Sequence, residues 1–338
     1  MRRHNHYVPQ LYLKRWSLDG HRIQCYRILA SDSKVPLWTR QSIRSVAYHT
    51  DLYTRQSHGG ETDEFERRLA DEFENPATEA FNKAVSQQAL SDGEWRQLVR
   101  YAVAQSLRTP AWFLKNRDKW IREMPQTLQE TLQRAVSMLE EAKKEGKPLP
   151  EAQNEVSELL QIRVSTERLP DSKLAVIKAE MDVGRNTWLY AMKRLLKPTG
   201  TVERIVQFGH RWRILSGPAG FRWVTSDDPV MVLNYHSRGQ CDFGGGWGNP
   251  GSEVLFPISP KCILYTKVGD ENPCNGKITY EDAREIQRLI IEHAHRWVFA
   301  EQPLDDIETI RPRFVDASDF TSEEEEWRHW HEYQSTVE

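Results

Sequence analysis

A mixed α+β fold is what this 338-residue sequence predicts, and three observations carry the prediction. A short strand-rich segment opens the chain, a long stretch of helical periodicity follows, and beyond Gly200 the apolar period drops to two. Runs of helices followed by runs of strands point to segregated layers and not to a doubly wound sheet. The expected architecture is short N-terminal strands, a central helical layer, and a mostly antiparallel C-terminal sheet with a closing helix. One domain would cover residues 1–300, divided into an entry segment 1–60, a helical region 61–198 and a sheet region 199–300. An acidic extension over 301–338 would follow.

Ile23 to Ile28 and the run from Val46 to Tyr53 have the alternation and the β-branched or aromatic content of strands, and Gly59-Gly60 closes the entry segment. Phe65, Leu69, Phe73 and Phe81 recur at spacings of four or eight, which places them on one helix face. Ser91 with Glu94 three residues later spells a capping box, and Thr109-Pro110 ends the helix it starts. A long charged helix is expected from Trp112 to Glu145, with Pro125 as a kink or break. Gly146 to Pro150 reads as a linker, and a further helix is expected from about Asp171 to Leu196, stopped by Pro198-Thr199-Gly200. Six short strands then follow at Thr201–Phe208, Arg211–Leu215, Arg222–Thr225, Val230–Leu233, Glu253–Pro257 and Cys262–Val268. Gly239 to Gly251 is a glycine-rich loop of the kind that covers a pocket or stays mobile. Tyr280 to His295 reads as an amphipathic helix, Trp297-Val298-Phe299 as a last strand, and the acidic end as a peripheral helix.

Composition excludes several classes. Apolar residues make up 38% and charged residues 28%, a globular balance, so disorder along most of the length is not expected. No run approaches the length of apolar sequence that crosses a bilayer, and Met1 to His6 leads into Tyr7-Val8-Pro9-Gln10 without an apolar signal region. Four scattered cysteines form no C-x-x-C pair, which disfavours a zinc ribbon and a disulfide framework. A cytoplasmic location, with no membrane contact, is the expectation. Charge is distributed unevenly: residues 1–50 hold nine Lys/Arg against two Asp, net +7, whereas residues 301–338 hold twelve acids against three Arg, net −9. The basic segment has two readings, a phosphate-bearing ligand or the acidic tail of its own chain, and the tail itself could take a protein partner.

Four segments, His6 to Trp16, Gln105 to Pro110, Phe221 to Val230 and Phe256 to Lys261, together resemble the DUF4238 family in order and spacing over roughly residues 4–300. Asp228 stands where that family often has Asn, and Gln287 where Asn is common. The resemblance implies a fold neighbourhood and no defined activity. Because some members lie near defence-associated genes, it also suggests action on nucleic acid or nucleotides.

The candidate residues come from these segments. His6, which belongs to the signature, is either an imidazole that pins the N-terminal segment or a general base. Its neighbours His4 and Asn5 spell HNH, but nucleases of that name spread their residues over tens of positions. Gln105 and Arg108 are three apart near a helix end and share a side. Arg108 either caps carbonyls and pairs with an acid or grips a phosphate with its planar fork. Ser226-Asp227-Asp228-Pro229 is a strong turn former, yet its paired carboxylates suit a divalent cation or an activated water. Glu64, Glu66 and Glu72 read more simply as a solvated helix face. No G-x-S-x-G elbow, Walker loop or Rossmann fingerprint is present. The leading expectation is a phosphodiester-directed hydrolase or nuclease, with His6, Gln105, Arg108 and Asp227 catalytic and Asp227 and Asp228 holding a metal. The alternative is a non-catalytic binding or regulatory module whose motif residues form a structural network.

Overall fold

The computed structural model describes residues 3–57, 60–148, 162–168, 175–181, 183–237, 239–273 and 278–329. The chain divides into two compact units, one formed by residues 1–112 with 194–338 and the other by residues 113–193.

The first unit contains two antiparallel sheets, so the α+β expectation holds. One sheet runs Thr225–Ser226, Trp297–Ala300, Arg22–Arg27, Trp38–Ser42. The entry strands therefore pair with the last strand of the sheet region, with Cys25 opposite Phe299, instead of forming a layer of their own. The other sheet has five strands in the order Arg213–Ser216, Cys262–Lys267, Glu253–Ser259, Met231–Ser237, Gln240–Asp242. The short strand His4–His6 pairs with Tyr48–Thr50, and Phe314–Val315 runs parallel to Leu29–Ala30.

The helices cover these sheets with the faces that the sequence marks. Phe65, Leu69, Phe73 and Phe81 are all buried along the helical stretch 64–85. A π-helical turn at Ala70–Glu74 interrupts this stretch just ahead of Pro76. Pro76 has no N–H to give the preceding turn, and the wider π turn accommodates that loss. The Ser91–Glu94 capping box is formed and starts the helix Asp92–Leu107. The helix Tyr280–His293 turns Ala283, Leu289, Ile290 and Ile291 into the core. Its own capping box joins Thr279 to Asp282.

An aromatic cluster ties the signature segments together. Tyr12 stacks on Phe256 with ring centroids 5.3 Å apart, and Phe81 meets Tyr101 edge-on at 4.8 Å. The Tyr12 hydroxyl donates to the Pro257 carbonyl and shares a hydrogen bond with Thr225 Oγ1, both at 2.6 Å. The Trp16 indole N–H donates to the Trp223 carbonyl at 2.9 Å. Three separated motifs thus meet in one buried layer, where the Tyr12 hydroxyl and the Trp16 indole each find a partner.

Three expected elements take another form. The predicted strand Thr201–Phe208 is a helix, Thr201–Gln207. Val202 and Ile205 are buried at helical spacing beside Glu203, which pairs with Arg96 and Arg100. The helix expected from Asp171 to Leu196 begins only at Arg185; residues 175–181 form a strand paired with Ile162–Arg168. The β-branched pair Val176-Ile177 followed by alternating Lys178 and Glu180 has period two, which decides that stretch. Residues 171–174 and the end of the Gly146–Pro150 linker lie outside the described residues. The helix Pro110–Lys144 runs through Pro125 without a break.

In the second unit, Phe113 stacks on Trp188 with centroids 5.2 Å apart. Trp188, Leu189 and Met192 are buried along the helix Arg185–Leu195. No helix among the described residues is long and apolar enough to cross a membrane.

Candidate functional site

The N-terminal signature is clasped from one side by the helix Asp92–Leu107 and its end. Gln105 Nε2 donates to the Tyr7 carbonyl at 2.8 Å, and Arg108 Nη2 donates to the His6 carbonyl at 2.5 Å. Arg108 Nη1 pairs with Glu74 Oε1 at 2.5 Å, and the Tyr53 hydroxyl donates to the Arg108 carbonyl. Glu74 reaches this arginine from the π-helical turn, which re-aims its side chain. Asn5 Oδ1 accepts from the Tyr53 amide at 3.1 Å. Arg108 is only 2% exposed. Burial works against its charge, but Glu74, Tyr53 and Glu66 together outweigh that cost and hold the guanidinium firmly protonated. Burial and the Arg108 charge both lower the His6 pKa.

The Asp227–Asp228 pair works on another part of the fold. Asp227 Oδ1 accepts from the His295 amide at 2.9 Å and Oδ2 from the Arg296 amide at 2.8 Å. The carboxylate thus holds the backbone where the closing helix gives way to the strand Trp297–Ala300. Burial pushes the Asp227 carboxyl up to about 7, helped by the Asp228 charge and opposed by the two amide hydrogen bonds. Asp228 Oδ1 accepts from Thr109 Oγ1 at 3.0 Å, and the Asp228 carbonyl lies 2.8 Å from His293 Nδ1.

A cavity of about 390 Å³ opens beside Asp227. Its lining includes Tyr7, His49, Asp227 and His295, together with Arg27, Arg296, Glu323, Glu324 and Trp327. Its lining contains neither His6, Gln105 nor Arg108. Of the four expected catalytic residues, three gather on the signature backbone, and only Asp227 reaches the cavity wall. As for the expected metal pair, both Asp227 oxygens already accept backbone amides. No group of three or more His, Cys, Asp or Glu among the described residues is disposed to hold a metal ion.

Two histidines unremarked in the sequence face this cavity. His49 stacks on Tyr7 at 5.3 Å and on Trp327 at 4.4 Å. Burial and the neighbouring His295 push its pKa down to about 3. His295 is lowered to about 4 by burial and by Arg296 and Arg311. Both imidazoles are therefore neutral at pH 7, next to a carboxyl that titrates there. The one local signal was His293-Ala294-His295, two imidazoles two apart at a helix end; His49 sits in an ordinary strand with nothing to mark it.

An α+β chain with two antiparallel sheets, a clasped N-terminal signature and a polar cavity at the start of its closing strand is the class that these features define. A family model described as "Protein of unknown function (DUF4238)" matches residues 4–303, and the chain belongs to that family. All four motif segments lie inside the matched residues, whereas the helix Ala317–Arg328 lies beyond them. Neither the curated proteins nor the solved structures contain a match to the chain.

Proposed function

We propose that the chain is a phosphodiester-directed hydrolase, a nuclease of the cytoplasm in a defence- or toxin-like setting, and that it works at the cavity beside Asp227. The observation that carries this reading is what lines that one cavity: a carboxyl with a pKa of about 7, two neutral imidazoles and three guanidinium groups, among them Arg27 and Arg296. Arg27 and Arg296 suit the phosphate, because a planar fork matches its oxygens. Asp227 takes the proton of the attacking water, the new phosphorus–oxygen bond replaces the ester bond, and the proton passes to the departing oxygen. A bound phosphate also raises the pKa of His49 and His295, since a nearby anion favours the charged imidazole. Nucleic acid or a nucleotide is the substrate class in this reading.

The test is turnover by purified protein of RNA, DNA and nucleotides, each with magnesium, manganese or zinc and without metal. Turnover that disappears in Asp227→Asn and Arg27→Ala, with both variants folded by circular dichroism, supports the reading. A protein that converts none of these substrates overturns it.

The second reading, a non-catalytic binding or regulatory module, is favoured by the two backbone amides that already occupy the Asp227 oxygens. It expects Asp227→Asn to lose melting temperature and ligand binding together, with no turnover in the parent protein.

A further inference from the structure

We infer that Arg27 and Arg296 form a binding site for a ligand carrying two phosphate groups, and that Glu323 and Glu324 of the helix Ala317–Arg328 occupy it in the ligand's place. The inference rests on the reading that the cavity beside Asp227 takes a phosphate-bearing substrate. Arg296 Nε pairs with Glu323 Oε2 at 2.6 Å, and Arg27 Nη2 pairs with Glu324 Oε1 at 3.2 Å. All four side chains line the cavity. Two successive carboxylates thus meet two guanidinium groups, one from the end of the strand Arg22–Arg27 and one from the bend before the strand Trp297–Ala300, that share one opening.

The arginines are built as receptors. The Arg27 guanidinium lies over the Trp297 ring at 4.8 Å and over the Phe320 ring at 4.1 Å. Stacking fixes the plane of the fork while leaving its N–H edges for an anion. One of these rings, Trp297, belongs to the matched family core, so half of the stack stays when the helix leaves.

The helix is placed to be exchanged. Both ion pairs are partly exposed, and half-exposed pairs of this kind are individually weak. A phosphate group brings more charge and more acceptor oxygens than a carboxylate, so it competes well for the same guanidinium. The helix lies beyond the matched family residues, its Trp327 closes the cavity by stacking on His49, and the strand Phe314–Val315 tethers it to Leu29–Ala30. The acidic tail therefore pairs with a basic residue of its own entry segment, and both partners line the cavity.

Calorimetric titration with inorganic pyrophosphate tests the site. Three proteins are compared with the full chain: E323Q/E324Q, the same double variant carrying Arg27→Ala, and E325Q/E326Q. The last changes net charge by the same amount at two glutamates that do not line the cavity. The expected result is a Kd about tenfold lower in E323Q/E324Q than in the full chain, within the usual range of such couplings. The gain should be lost when Arg27→Ala is added and should be absent from E325Q/E326Q. Equal affinity in the full chain and E323Q/E324Q, with loss on Arg27→Ala, overturns the carboxylate surrogacy and leaves the phosphate reading standing. Equal tightening in E325Q/E326Q, or tightening indifferent to Arg27, also overturns the inference, because bulk charge then explains it. Absence of binding in every protein overturns the site, and turnover measured on the same preparations tells whether the hydrolase reading falls with it.

Discussion

The Arg108 guanidinium donates to the backbone carbonyl of His6, 102 residues earlier in the chain, while its other terminal nitrogen pairs with Glu74. The first hydrogen bond is buried and the second part-buried, so both partners depend on this one guanidinium. Replacing Arg108 by Ala is expected to cost about 3–5 kcal/mol, because Glu74 is left partly buried without its countercharge. Lys at this position should recover only part of that loss, since an ammonium lacks the fork that reaches Glu74 and the His6 carbonyl at once. Urea unfolding of both variants measures the difference. Stability equal to the parent in Arg108→Ala would show that the clasp does not hold the N-terminal segment.

Tyr12→Phe removes one oxygen that serves both Pro257 and Thr225. The buried Pro257 carbonyl then loses that donor, at a cost of about 1–3 kcal/mol. The ring stack on Phe256 is kept, so near-ultraviolet dichroism should change little while the unfolding midpoint falls.

Stability should depend on pH through His49, His295 and Asp227, in opposite senses. The folded pKa values of His49 and His295, about 3 and about 4, lie below the unfolded value of about 6.5. Their contribution is present above pH 6.5 and is lost as pH falls toward 4. Asp227 is the reverse: its folded value of about 7 lies above the unfolded value of about 3.9, so its contribution is present in acid and is lost as pH rises through 7. Between pH 4 and 6.5 two histidines oppose one aspartate, and these three groups together give stability that rises with pH by on the order of 1 kcal/mol per unit. His49→Phe should flatten the slope by about one proton, and Asp227→Asn should steepen it by about one. Unfolding free energies at four pH values between 4 and 6.5 measure both slopes; a slope unchanged in both variants would mean that these groups do not titrate differently on folding.

Gly200 precedes the helix Thr201–Gln207, and a Cβ there would lie 2.4 Å from the Leu195 carbonyl oxygen and 2.6 Å from that of Arg194. Both obstacles are backbone and cannot swing aside. Gly200→Ala should therefore destabilise by about 1–3 kcal/mol, whereas the same change at Gly93, where nothing lies within 4 Å, should be neutral or mildly stabilising. Melting temperatures of the two variants decide it.

Local chemistry was legible where it acts locally. Ser91 and Glu94 cap the helix that they announce, and Phe65, Leu69, Phe73 and Phe81 bury the face that their spacing defines. Thr201–Gln207 reads as a strand because four of its seven residues are β-branched, and only the burial of Val202 and Ile205 and the Arg96 and Arg100 partners of Glu203 favour the helix. Asp227 reads in sequence as a turn former that bonds nearby amides, but its carboxylate makes long-range hydrogen bonds instead. Their partners are the amides of residues 295 and 296, which no turn rule could name.

By itself, the sequence determined the fold class, the family, the capped start of the helix Asp92–Leu107 and the opposite charges of its two ends, because each rests on local spacing, on motifs in fixed order or on composition, and none requires knowing which segments touch. The tertiary structure decided the rest. It paired the entry strands with the final strand, set Arg108 and Gln105 on backbone carbonyls, and placed Asp227, His49 and His295 on one cavity. The reason is physical: a carboxyl becomes an acid of pKa about 7, or an imidazole stays neutral in mild acid, only through the burial and charges that distant segments bring to it.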